Sequence, residues 1–226
     1  MSDKMLYKIA GVSAIVGTLF ILAANFGGMF MDVDPDLGSL IPDESLSAIA
    51  ATPNAVLWSG WLNIYGALLS AIAVIGIYRL MRAEGGHMLV PLMAMEFGVV
   101  FLTVAYLVAL AGVYQLGPLY EQGVSREALF GAEYLRKIVF EITVVYGSWL
   151  TLGVAMALFG VFGLKSSKVP KWVSWVAIVG GVVGMEEWLK AYPWQAARTP
   201  LVFINLTAFG VWLIAMGVVM LKHEAE

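Results

Sequence analysis

Six stretches of this chain consist almost wholly of apolar residues, each bounded by charge or proline: residues 7–31, 56–79, 87–114, 138–163, 170–189 and 199–221. A hydrocarbon core about 30 Å thick takes about 20 apolar residues per helical crossing, so each stretch reads as a membrane-spanning helix. The pattern predicts an all-α fold, a polytopic bundle of six transmembrane helices forming one domain over residues 1–226. The first stretch follows Lys4 and Lys8 and passes Ala23-Ala24, which is how a secretion signal looks. It runs on through Phe26 and Phe30 to Met31, longer than a signal core, and so predicts a retained helix.

Composition agrees. Of 226 residues, 61% are hydrophobic and 13% charged, against roughly 45–50% and about 25% in a soluble domain. That excludes a water-soluble globule, and six crossings leave no length for a separate soluble domain. There is no cysteine, which removes disulfides, thiolate nucleophiles and cysteine-held zinc or iron–sulfur clusters. A net charge of −3, with the basic residues scattered between apolar stretches, offers no field for nucleic acid.

Charge also orients the bundle. Lys4, Lys8, Arg79, Arg82, Lys165, Lys168, Lys171 and Lys222 fall on one side of six crossings, and Arg126, Arg136, Lys137, Lys190 and Arg198 on the other. The positive-inside rule makes the first side cytoplasmic and places both termini there. The opposite side receives the acidic segment Asp32, Asp34, Asp36, Asp43 and Glu44, which contains no basic residue. Trp58, Trp61, Trp172, Trp175, Trp188 and Trp194 lie where an interfacial belt is expected.

Two outer connections exceed simple turns. Residues 32–55 carry Pro35, Pro42 and Pro53, predicting an irregular acidic loop with a short helix over 44–51 capped by Asp43. Residues 115–137 contain Ser125-Arg126-Glu127, a helix start expected to run on into the fourth span. No internal repeat relates two halves, so a transporter of duplicated halves is not supported.

Polar residues inside apolar spans face the bundle interior and are candidates for function. Glu96 stands roughly 9 residues from the inner end of the third span, or about 13 Å deep. Thr103, Tyr106, Leu110 and Tyr114 follow it at helical spacing, a mostly polar stripe. A second stripe runs Glu133, Lys137, Glu141, Ser148 and Thr151 along the fourth span, with Lys137 placed to pair Glu133 and Glu141.

Counted from the outer ends, Asn25, Asn63 and Asn205 each lie roughly 6 or 7 residues in, about 9–10 Å. Glu141 lies nearer the surface, and Glu186 and Glu187 close the fifth span. This layer either lines an outward-facing pocket walled by Tyr106 and Tyr114, or ties helices together. Glu96 is either a proton or cation site or a satisfied neutral acid.

Other signals carry less. Asp32, Asp34 and Asp36 open like a calcium loop, but Pro35 interrupts them and Leu37 stands where glycine is required, leaving a solvated acidic face. Gly180 and Gly184, widened by Gly181, suit close helix contact, within the chain or between two copies. Met93 and Met95 read as packing. The only histidines, His87 and His223, sit at inner ends, which excludes a bis-histidine haem and serine-triad chemistry within the bundle. No lysine stands at mid-membrane and no paired-aspartate motif occurs in a span, so neither cofactor nor metal is implied.

The opening Tyr7-Lys8-Ile9-Ala10-Gly11, with Leu62-Asn63-Ile64-Tyr65-Gly66-Ala67 and Gly76-Ile77-Tyr78-Arg79-Leu80-Met81, resembles a large group of uncharacterised bacterial six-helix membrane proteins, a domain of unknown function. The resemblance implies the fold and the bacterial inner membrane. It brings no catalytic residue, and the acidic outer loop and Glu186-Glu187 depart from it. Two functions are therefore expected. One is a membrane binding or transport protein that handles a small amphipathic molecule, a cation or protons through Glu96 and the outer polar layer. The other is a non-catalytic accessory subunit whose acidic residues 32–44 dock a partner in a membrane complex. Lipid is an expected contact of both and a homo-oligomer is compatible with both, whereas an enzyme is disfavoured because no catalytic constellation occurs.

Overall fold

The computed structural model describes residues 3–27, 41–185 and 195–224. Every element among them is helical. In chain order these are α1 (Asp3–Phe26), α2 (Pro42–Ala51), α3 (Pro53–Met81), α4 (Leu89–Ala111), α5 (Gly117–Glu121), α6 (Arg126–Ser148), α7 (Met156–Gly163), α8 (Lys171–Val183) and α9 (Gln195–Glu224). Pro42 and Pro53 open α2 and α3, where a fixed φ suits the helix and no N–H is missed. Wide π turns at Gly112–Leu116 and Trp149–Ala155 join α4 to α5 and α6 to α7.

Among the described residues, five helical runs are long and apolar enough to cross a membrane: Asp3–Phe26, Pro53–Met81, Leu89–Glu121, Glu127–Gly163 and Pro200–His223. Their outward faces carry Leu19, Ile72, Phe97, Val100, Leu107, Ile142 and Val211, all exposed. So broad an apolar surface suits lipid and not water. The fifth expected span is the exception. It contributes α8, only 13 residues long, or about 20 Å, followed by a short turn, and its remainder lies outside the described residues.

The helices close a ring in chain order. α1 packs on α3, α3 on α4, α4 on α6, the α6–α7 rod on α8, α8 on α9, and α9 back on α1. Lipid gives apolar side chains little reason to leave it, so close backbone approach must hold such a ring. Glycines set against the backbone of the neighbouring helix supply that approach. A Cβ on Gly66 would lie 2.9 Å from the Gly17 carbonyl oxygen, one on Gly11 2.9 Å from that of Gly217, and one on Gly98 2.9 Å from that of Gly147.

One end of the ring gathers Arg79, Lys168, Lys171 and Lys222 with both described chain ends. Asp3 pairs with Arg79 at 3.1 Å, Tyr7 meets His223 edge-on at 5.5 Å, and His87 packs on Phe162 at 4.7 Å. The half of the interior nearest this end is filled by Met81, Met88, Met216, Met220, Phe159 and Trp212, all essentially inaccessible. Phe159 and Phe209 each lie 5.9 Å from Trp212.

At the far end α2 lies across the bundle, burying Ser45, Leu46, Ala48 and Ile49. Three expectations are corrected there. The short helix begins at Pro42 with Ile41 as its cap, so Asp43 is a first-turn residue and accepts from the Tyr120 hydroxyl at 3.4 Å. Beyond residue 114 the helix of the third span continues to Glu121, so part of the expected outer connection is helical. Glu133 takes Arg136, not Lys137, as its partner. Both guanidinium contacts are 2.6 Å, and the Ser45 hydroxyl donates to the same carboxylate at 2.8 Å. Helix α6 does start after Ser125 and run on into the fourth span.

Candidate functional site

In the other half of the ring the packing opens into a cavity of about 200 Å³. Its wall collects Asn25 from α1, Asn63 and Ser70 from α3, Tyr106 from α4, Ser148 and Thr151 from the α6–α7 rod, and Asn205 from α9. Ile21, Val99, Leu102, Val144 and Leu206 supply apolar wall, and Met95 and Phe209 close it toward the filled core. Among the described residues, no ionisable side chain other than the Tyr106 phenol lines it.

Each polar group reaches the wall for a local reason. Asn25 donates to Asn63 Oδ1 at 3.0 Å and to the Ile21 carbonyl at 2.8 Å. Asn63 in turn donates to the Ser59 carbonyl at 3.0 Å. The Asn205 amide bridges two helices, donating to the carbonyls of Gly180 at 2.8 Å and Leu152 at 3.1 Å. Leu152 lies inside the wide turn Trp149–Ala155, where i→i+5 pairing re-phases the backbone relative to a regular helix. Ser70 and Thr151 hydroxyls donate back to the carbonyls of Gly66 and Gly147, both at 2.8 Å. The asparagines therefore tie helices together and line the cavity at once; these two readings of the polar layer are compatible.

Beneath α2 lies a second hollow of about 270 Å³, bounded by Ile49, Ser59, Gly60, Arg136, Lys137, Phe140, Glu141 and Tyr106. Tyr106 belongs to both spaces, its ring set edge-on to Phe140 at 6.4 Å. Arg136 gains its place from Gly112, where an added Cβ would stand 3.2 Å from Nε. Glu141 lines this outer hollow, not the central cavity.

The remaining candidates lie apart. Glu96 is half-buried and belongs to neither wall. Its Oε1 and the Thr103 hydroxyl are buried without a hydrogen-bond partner among the described residues. Tyr114 falls in the wide turn Gly112–Leu116, is exposed, and accepts from Trp61 Nε1 at 3.3 Å. Asp43 is half-buried beside Tyr120, and Glu44 is exposed. Asp32, Asp34, Asp36, Glu186 and Glu187 lie outside the described residues.

Gly180, Gly181 and Gly184 face inward: added Cβ atoms would meet Met156 and Ala208, the Ala157 backbone, and Leu152 with Asn205 respectively. That face is occupied within the chain. Sequence reasoning missed Arg136 and Ser45 as partners of Glu133, and Ser70 as cavity wall. The (i, i+3) spacing from Glu133 to Arg136 was the available signal for the first. No protein-family model matches the chain, and no curated protein and no solved structure does either.

Proposed function

We propose that this chain is a six-crossing integral protein of the bacterial inner membrane, both termini cytoplasmic, that binds a small amphipathic molecule with an uncharged polar head in the cavity between Asn25, Asn63, Asn205 and Tyr106. The observation that carries the reading is the make-up of that wall: amides and hydroxyls drawn from different helices, apolar surface around them, and no ionised group among the described residues. Such a lining offers hydrogen bonds in both senses but nothing to neutralise a charge. A cavity of about 200 Å³ suits a compact head or ring.

Six crossings are supported by parity. α7 ends and α9 ends at the basic end, where Gly163 nears Met81 and Tyr7 meets His223. The chain between them must travel out before α9 can return, and α8 begins that journey. Binding is favoured over passage because Met95, Phe209 and Trp212 fill the interior beyond the cavity. Glu96 stands off the wall, so proton or cation handling by this acid has less support. The accessory-subunit reading is weaker, since Asp43 already engages Tyr120 and the small-residue face of α8 is covered within the chain.

The test is native mass spectrometry of protein purified in mild detergent. A small molecule should accompany the wild type and be lost from Ser148→Leu, which fills the wall without touching an asparagine. Wild type carrying no small molecule, or a variant retaining it, would refute the proposal.

A further inference from the structure

The basic end carries a second feature, unrelated to the central cavity. Between α8 and α9 runs an open groove of about 830 Å³, floored by Val173, Val211, Ile214, Ala215 and Val218. Its mouth is set by Lys168, just before Pro170, and by Lys222 in the last turn of α9, with Trp172 beside them. Both lysines are exposed. Neither forms an ion pair with a described carboxylate.

Neighbouring Lys171 is differently placed: its ammonium caps α7 by donating to the carbonyls of Leu164 and Ser166. His223, on the same rim, packs against Tyr7. The groove thus has an apolar trough along two membrane helices and two cations where the trough reaches the surface. Trp172 is exposed at this mouth, as expected of an interfacial tryptophan.

We propose that this groove is a binding site for an anionic phospholipid, one acyl chain lying along Val211, Ile214 and Val218 and the phosphate set between Lys168 and Lys222. Charge complementarity selects the occupant. A helix face would satisfy the trough but leave the lysine pair without a counter-charge, and a zwitterionic lipid would bring its own cation beside the pair and no net negative charge. Basic pockets between membrane helices recognise anionic head groups in this manner. A free phosphate would meet the lysines but leave the trough unfilled.

The experiment uses the full chain in nanodiscs of phosphatidylcholine and phosphatidylglycerol, followed by native mass spectrometry of the released protein. Wild type should retain phosphatidylglycerol over phosphatidylcholine. Lys168→Gln with Lys222→Gln should weaken that preference about thirty-fold, as expected for two surface charges. Ala215→Trp, which fills the trough and leaves the lysines, should release the lipid as well. Inorganic phosphate should not displace it. Equal retention of the two lipids by wild type, retention unchanged in both variants, or displacement by phosphate alone would each overturn the assignment.

Discussion

Asn25 and Asn63 share a hydrogen bond of 3.0 Å that joins α1 to α3 at the wall of the central cavity. Both amide N–H groups also close onto their own helices, at Ile21 and Ser59, so the pair is held rigid. Interhelical hydrogen bonds in membranes average about 0.6 kcal/mol and reach about 1.7. Asn25→Leu should therefore lower the unfolding free energy by about 0.5–2 kcal/mol, read by titration with denaturing detergent, while helix content by circular dichroism stays unchanged. A loss near that of the ion-pair variants below would show that Asn25 does more than bridge.

The Glu133–Arg136 pair should behave differently. Glu133 is wholly buried, both oxygens are engaged, and Ser45 brings α2 into the same cluster. Removing one partner of a buried pair leaves an uncompensated charge and typically costs about 3–5 kcal/mol. Glu133→Ala should fall in that range by thermal unfolding in detergent, whereas Glu133→Leu combined with Arg136→Leu should recover most of it. Ser45→Ala should cost less, about 1.5–3 kcal/mol for a bond to a charged group. If the double variant is no better than the single, the cost arises from packing rather than charge.

Glycine substitutions separate close approach from mere flexibility. A Cβ on Gly66 would stand 2.5 Å from Ile21 Cγ1, and one on Gly17 would stand 2.8 Å from Leu69 Cβ. Gly66→Val must push α1 away, and overpacking of this kind typically costs about 1–3 kcal/mol. Gly131, exposed on α6, has nothing within 4 Å of an added Cβ. Gly131→Ala should stabilise α6 by about 0.5–1 kcal/mol, since glycine is a poor helix former. Opposite signs in the same melting assay are expected; equal effects would mean that helix propensity alone is being measured.

What the sequence reveals here depends on what hydropathy and periodicity encode. Spans reveal themselves because hydrocarbon demands long apolar runs. Counting from their ends placed Asn25, Asn63 and Asn205 at one depth, and they do line one cavity. Length along the chain says less about packing, which is why the stretch 170–189 reads as a full crossing while α8 is 13 residues. Helical-wheel reasoning assumes 3.6 residues per turn throughout. The wide turns at Gly112–Leu116 and Trp149–Ala155 break that phase. Tyr114 therefore parts from Tyr106, whereas Ser148 and Thr151 reach the cavity. The (i, i+4) rule pairs Lys137 with Glu133, but the planar fork of Arg136 fits the Glu133 carboxylate with two bonds.

The crossing number is open to a direct count because the chain has no cysteine, so single cysteines report their side without background. Ser167 and Lys222 line the same groove at the basic end, and Glu121, the last residue of α5, is exposed at the other. Six crossings predict that Ser167→Cys and Lys222→Cys react with a membrane-impermeant maleimide only from the cytoplasmic face, and Glu121→Cys only from outside. Were α8 to turn back without crossing, α9 alone would separate Ser167 from Lys222, and the two would label from opposite faces. That outcome would remove the parity on which the orientation of the cavity depends. Concordant labelling of the two would instead fix α8 and the residues after it as the fifth passage, although α8 itself spans only about 20 Å.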